Sequence, residues 1–226
     1  MAAGAAMMTV CHANVVSWAY DNGNTIPASG TAGVVAATNW NLTGDAGSAD
    51  LLDHTGASTG VSLTLAGGFG AWGIGGVSSP DADGTYNKAI FDGYYNSLGS
   101  TLALGNLDNL GLSTYDVIVY FSSDADGRTG TVSDGTTTYS FSTMGVAATS
   151  GSNAILTQTT DTGAGNPGAN YAVFSGLTGT SQTFTIANAS DGMGFAGVQV
   201  IPEPATIGLV GVFGAGVLFI RRRFLI

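Results

Sequence analysis

Short apolar runs recur along the chain, separated by clusters of Gly, Asn, Asp and Ser. That is the punctuation of strands and turns rather than of amphipathic helices. The runs predict strands over 14–20, 61–66, 69–74, 100–104, 115–122, 129–133, 136–142, 154–159, 170–175, 181–187 and 194–201. In 136–142, Tyr139 and Phe141 alternate with Thr138, Ser140 and Ser142; in 181–187, Phe184 and Ile186 alternate with Thr183 and Thr185. Period-two alternation places one face on a core and the other in solvent. Segment 117–121 is apolar on both parities and is expected at the centre of a sheet, covered on both sides. Asp134-Gly135 between two runs predicts a hairpin with a tight primed turn. Helix signals are weak. Only 86–97 has room for a turn or two, and Gly93 interrupts it.

Many short strands with frequent turn signals point to an all-β class, a jelly-roll-like β-sandwich over residues 14–201. The chain has 226 residues, enough for one domain with a real core plus targeting segments. Gly contributes 36 residues and charged residues only 9%, but 44% hydrophobic content separates the chain from disordered sequences.

Charge narrows the function classes. Three of the five cations are Arg221, Arg222 and Arg223, so between residues 14 and 200 only Lys88 and Arg128 oppose 14 Asp, leaving that segment near −12. A nucleic-acid partner, which needs basic surface, is disfavoured. Neutral polysaccharide or cations fit better. Cys11 is the sole cysteine and lies in the N-terminal apolar stretch, so residues 14–226 contain no disulfide, thiolate metal site or thiol nucleophile.

The two ends differ from the middle. Residues 2–10 are small and apolar and lead to Ala13 in the manner of the back half of a secretory signal peptide, so 1–13 is expected to be a signal remnant. At the other end, Pro202-Glu203-Pro204 closes the last strand, because proline cannot donate to a ladder. Residues 205–220 are uncharged and apolar, and as a helix would span about 24 Å at 1.5 Å per residue, a short membrane crossing. Arg221 to Arg223 would then lie on the cytoplasmic side.

The order Pro-Glu-Pro, apolar helix, basic cluster resembles the PEP-CTERM sorting signal of Gram-negative bacteria. The resemblance covers residues 202–226. It implies recognition by an exosortase, passage through the inner membrane, and residence at the cell surface or in an exopolysaccharide matrix. Nothing in 14–201 matches a particular family; at fold level the pattern looks like carbohydrate-binding modules and galactose-binding-like domains.

Candidate chemistry is sparse. Asp-Ala-Asp-Gly occurs twice, with Asp81 and Asp83 in the first copy and Asp124 and Asp126 in the second. Two carboxylates at i and i+2 in a turn can converge on a hard cation, so Ca²⁺ is a candidate ligand; the competing reading is that Asp and Gly make good turns. Asp45, Asp50 and Asp53 form a looser acidic group. Trp72, Tyr94 and Tyr95 lie beside glycines and are candidate platforms for sugar rings, against the commoner fate of aromatics in a core. His54 is the only histidine after the leader, with no nucleophile elbow or metal-binding pair, so no catalytic residue is assigned. The expectation is a non-enzymatic surface or matrix protein. A carbohydrate-binding module, a self-assembling subunit and, last, a secreted hydrolase are the alternatives.

Overall fold

The structure, a computed structural model, describes residues 14–203 except 76, 78 and 189–191. The expected signal remnant 1–13, the apolar segment 205–220, Pro204, and Arg221, Arg222 and Arg223 lie outside the described residues. Among the described residues no helix is long and apolar enough to cross a membrane.

The chain builds β1 (Val16–Tyr20), β2 (Asn41–Thr43), β3 (Ser48–Leu52), β4 (Ser58–Ala66), β5 (Gly70–Gly73), the short helix α1 (Asn87–Asp92), β6 (Gly93–Ser97) and β7 (Gly99–Gly105). It continues with β8 (Tyr115–Ser122), β9 (Thr129–Ser133), β10 (Thr138–Thr143), the helix α2 (Gly145–Ser150), β11 (Gly168–Ala169), β12 (Tyr171–Leu177), β13 (Gln182–Asn188) and β14 (Met193–Pro202). Two seven-stranded sheets result. One runs β12-β8-β14-β1-β2, with β6 beside the start of β14 and β5 outside β6; the other runs β11-β10-β9-β13-β7-β4-β3. The fold is an all-β two-sheet sandwich.

Alternation fixes the layers. Phe184 and Ile186 are fully buried, with Leu63, Leu102, Val132 and Phe141 from the same sheet. They join Trp18, Val117, Val119, Phe121, Phe195 and Val198 of the other sheet in the main core. Thr183 and Thr185 are exposed, as the period requires. In β8 the second parity is buried too: Ile118 and Tyr120 pack with Trp40, Ile90, Phe91 and Tyr94 in a second cluster. The first sheet is therefore covered on both faces, and segment 117–121 lies inside it, paired on both sides by β12 and β14, one strand in from the β12 edge.

Buried polar groups fasten the covering loop over 21–40. Gln199, wholly buried on β14, accepts from Tyr120 OH at 2.6 Å and donates to Ser17 Oγ at 3.1 Å and to Val35 O at 2.8 Å. Tyr120 OH in turn accepts the Val34 N–H at 2.8 Å. A buried amide needs such partners to avoid its desolvation cost.

Several expectations change in detail. The hairpin of β9 and β10 forms in the expected place, with Thr138 opposite Ser133, but its loop is four residues, 134–137. Gly135 has φ 88°, and Asp134 Oδ1 accepts the N–H groups of Thr136 and Thr137, so an aspartate-capped loop replaces the two-residue primed turn. Segment 154–159 is not a strand. Gln158 makes one bridge to Tyr171, while the Asn170 amide accepts from Thr157 N at 2.8 Å and donates to Ile155 O at 2.6 Å. In 86–97 the helix ends at Asp92, and Gly93 opens a strand.

Candidate functional site

β5 is an edge strand of glycine and apolar residues, held only by β6, with Trp72 directly opposite Tyr94. Paired residues on adjacent strands put their side chains on one face. Both reach the same carboxylate at the end of β8. Trp72 Nε1 donates to Asp124 Oδ2 at 3.0 Å, and Tyr94 OH donates to Asp124 Oδ1 at 3.1 Å. Tyr94 OH also accepts the Asp124 N–H at 3.1 Å. Arg128 closes the ring: its Nη1 donates to Asp124 Oδ1 at 2.6 Å, to Ser123 Oγ at 2.9 Å and to Gly192 O. Trp72, Tyr94, Asn96, Asp124, Arg128 and Gly192 line one pocket of about 190 Å³. Asn96 Oδ1 is buried there without a hydrogen-bond partner.

The electrostatics are settled by these contacts. Burial alone would raise the Asp124 carboxyl, but hydrogen bonds from Trp72 and Tyr94 and the Arg128 guanidinium outweigh it, and the net direction is down. The Tyr94 phenol is pushed up to about 12, chiefly by burial, and stays a donor at ordinary pH. The pocket thus offers a fixed anion, a guanidinium and an indole whose N–H is already satisfied. Trp72 remains 51% exposed, and Phe69, three residues earlier, is 75% exposed.

Of the three aromatics expected as platforms, only Trp72 presents a face to solvent. Tyr94 is fully buried and contributes its hydroxyl to the pocket wall. Tyr95 points to the opposite side of β6, is 7% exposed, and accepts the Gly68 N–H at 3.0 Å; it is a core residue. Trp18 and Trp40 are also core, their indole N–H groups donating to Thr43 Oγ1 at 2.7 Å and to the carbonyls of Ala32 and Ala37.

In the first Asp-Ala-Asp-Gly loop both carboxylates meet the Thr85 hydroxyl, Asp83 Oδ1 at 2.8 Å and Asp81 Oδ2 at 3.4 Å; in the second the carboxylates go to different partners. Each loop also uses one of the domain's two cations, and together they grip the ends of α2. In the second loop, Asp124 is bound into the pocket while Asp126 accepts the N–H groups of Val146 and Ala147 in the first turn of α2, at 3.0 and 3.1 Å. In the first loop, Asp83 turns onto Thr85, accepting its N–H and hydroxyl at 2.9 and 2.8 Å. Asp81 is buried, with Oδ2 accepting Ala154 N–H at 3.1 Å and Oδ1 lying 3.9 Å from Lys88 Nζ. Lys88 donates to Gly151 O at 2.9 Å, just past the end of α2. A carboxylate on the first N–H groups and an ammonium on the last carbonyls are what the helix termini favour. Among the described residues no three His, Cys, Asp or Glu side chains cluster as a metal site requires.

The looser group is likewise committed: Asp45 accepts from Tyr20 OH, Asp50 from Ser58 Oγ and Gly60 N–H, and Asp53 from Thr55 and Ala57. Two sorting-motif residues are described. Pro202 ends β14 opposite Tyr115, and Glu203 Oε2 accepts from Thr114 Oγ1 at 2.8 Å. Arg128 is the site residue that sequence reasoning missed. Its signal was that it is one of only two cations in the domain and directly follows Asp-Ala-Asp-Gly.

The site and fold define a cysteine-free β-sandwich with an exposed indole at a small polar pocket. Beyond that class the comparisons add no relative: no family model, curated protein or solved structure matches the chain.

Proposed function

We propose that the chain is an exported, exosortase-processed, non-enzymatic surface or matrix protein whose β-sandwich binds neutral polysaccharide at the Trp72 pocket. In this reading the sandwich is jelly-roll-like and is followed by a transmembrane helix over 205–220, with Pro202-Glu203-Pro204 as the sorting motif and Arg221 to Arg223 as the basic end. Sorting rests on that motif order alone.

The binding reading is carried by one observation: Trp72 keeps half its surface exposed while its indole N–H is tied to Asp124 at 3.0 Å. A large aromatic left in solvent but orientationally fixed loses little entropy when a flat apolar ring face stacks on it. The pocket beside it holds about one sugar ring, and Asp124 with Arg128 pairs an acceptor with donors, as a vicinal diol demands. A net charge near −12 over the domain favours an uncharged polymer over an anionic one. The non-enzymatic reading draws support from the described residues lining the pocket, among which Asp124 is the one carboxylate, since hydrolysis of a glycosidic bond ordinarily needs two.

The test is binding of the full chain, in detergent, to a panel of uncharged polymers: dextran, hydroxyethylcellulose and galactomannan. Saturable binding to at least one, weakened about tenfold in Trp72→Ala, is the expected result. Equal binding by both proteins would remove the site from consideration.

A further inference from the structure

The outer face of the second sheet is unlike the rest of the surface. Strands β4, β7, β13, β9 and β10 contain no Asp, Glu, Lys, Arg or His, in a domain whose remaining segments carry a net charge near −12. The register lines up their outward residues. Thr101, Thr185, Ser133 and Thr138 stand side by side across four adjacent strands, and Thr64, Ala103 and Thr183 form the next row. Thr64, Thr183, Thr185 and Thr138 are exposed, and Thr101 and Ser133 are half-buried. At one corner Ala66, Gly67, Gly99, Ser100, Thr101 and Thr185 line an open depression of about 310 Å³. Ser100 belongs to the inward parity of β7, in register with core Ile186, so the outward hydroxyls at this corner are those of Thr101 and Thr185.

We propose that this hydroxyl-bearing plate is a second contact surface for neutral polysaccharide, so that one domain joins two polymer chains. Ligand class rests on the reading of the Trp72 pocket; the plate rests on its own residues. Trp72 and Tyr94 belong to the outward side of the first sheet, where Tyr94 packs in the second cluster, so the two surfaces lie on opposite sides of the sandwich. The absence of charge excludes an ionic partner, and serine and threonine hydroxyls two residues apart on β4, β9 and β13 are too polar for a lipid interior. Size decides between a polymer and a second copy. Four strands at about 4.8 Å, with three outward residues each at about 6.7 Å, make a plate of roughly 390 Å², to which β10 adds only the exposed Thr138, since its Ser140 is covered by the 159–163 segment. A stable protein pair needs about 800 Å² on each partner, and two such acidic domains repel each other. A polymer gains affinity instead by repeating a weak contact along its length.

The experiment uses full chain in detergent with whichever uncharged polymer of the panel it binds, and reads binding and solution viscosity together. Wild type is expected to bind and to raise viscosity through cross-links. The Thr101→Lys/Thr185→Lys protein, and independently Thr64→Lys/Thr183→Lys, should keep the Trp72-dependent binding and lose the viscosity increase; far-UV circular dichroism confirms that each folds. Wild-type viscosity in both plate variants would overturn the plate while leaving the Trp72 site intact. A concentration-dependent dimer abolished by the lysines would overturn it in favour of a second copy. No binding by wild type to any polymer would sink the Trp72 reading and, with it, the plate.

Discussion

Asp124 orders the pocket through both of its carboxylate oxygens. Its two oxygens accept from an indole, a phenol and a guanidinium, which holds Trp72 at a fixed angle without burying it. Because its carboxyl is held below the usual range, the stabilisation it supplies is present above the unfolded value near 4 and is lost as pH falls through the lower folded value. Asp124→Asn should therefore melt below wild type at pH 6, with the gap narrowing as pH falls below the unfolded value near 4. A gap that does not narrow on further acidification would show that the carboxylate's charge is not what matters. Glycan binding by wild type should be flat from pH 7 to 5.

Among the elements, α2 best shows what tertiary contacts add to a sequence. GVAATS has no amphipathic period and no side-chain cap of its own, and two turns do not hold in water. It is helical because Asp126, from the loop after β8, satisfies its first N–H groups, and Lys88 of α1 holds the Gly151 carbonyl just past its end. Asp126→Ala should cost about 1 kcal/mol by denaturant unfolding, and no loss would mean that packing of Ala148 alone holds the helix. Close strand approach is the other element-scale constraint. A Cβ on Gly194 would stand 1.7 Å from Tyr95 O, so Gly194→Ala must push β14 off β6 and should disturb the Trp72 pocket as well as stability. Retained wild-type melting in Gly194→Ala would contradict that pairing.

At the scale of the whole molecule, what the sequence disclosed and what it hid follow one physical line. Strand β8, apolar on both parities, was legible because a central strand covered on both faces needs no alternation. Strands β10 and β13 were legible for the opposite reason, their clean alternation. β2 and β3 were not, because NLT and SADLL are polar edge segments whose pairing comes from neighbours rather than from their own pattern. Segment 154–159 misled because its Leu156 packs over the first sheet instead of extending it, while Ile155 is exposed. The individual site residues Trp72, Tyr94 and Asp124 could be picked out, but not their convergence, which depends on β5 pairing with β6 beside the end of β8. The repeated Asp-Ala-Asp-Gly was visible as a motif; that each copy recruits a lone cation and one end of the same helix is a property of the fold.

Binding of neutral polysaccharide by a fixed, exposed indole beside an aspartate–arginine pair is tested by calorimetric titration of the full chain and of Trp72→Ala with the same uncharged polymer. Saturable heat is expected for wild type, and a loss of about tenfold or more in affinity for Trp72→Ala, with far-UV circular dichroism showing that the variant folds. Identical isotherms for the two proteins, or none for wild type across the panel, would contradict it.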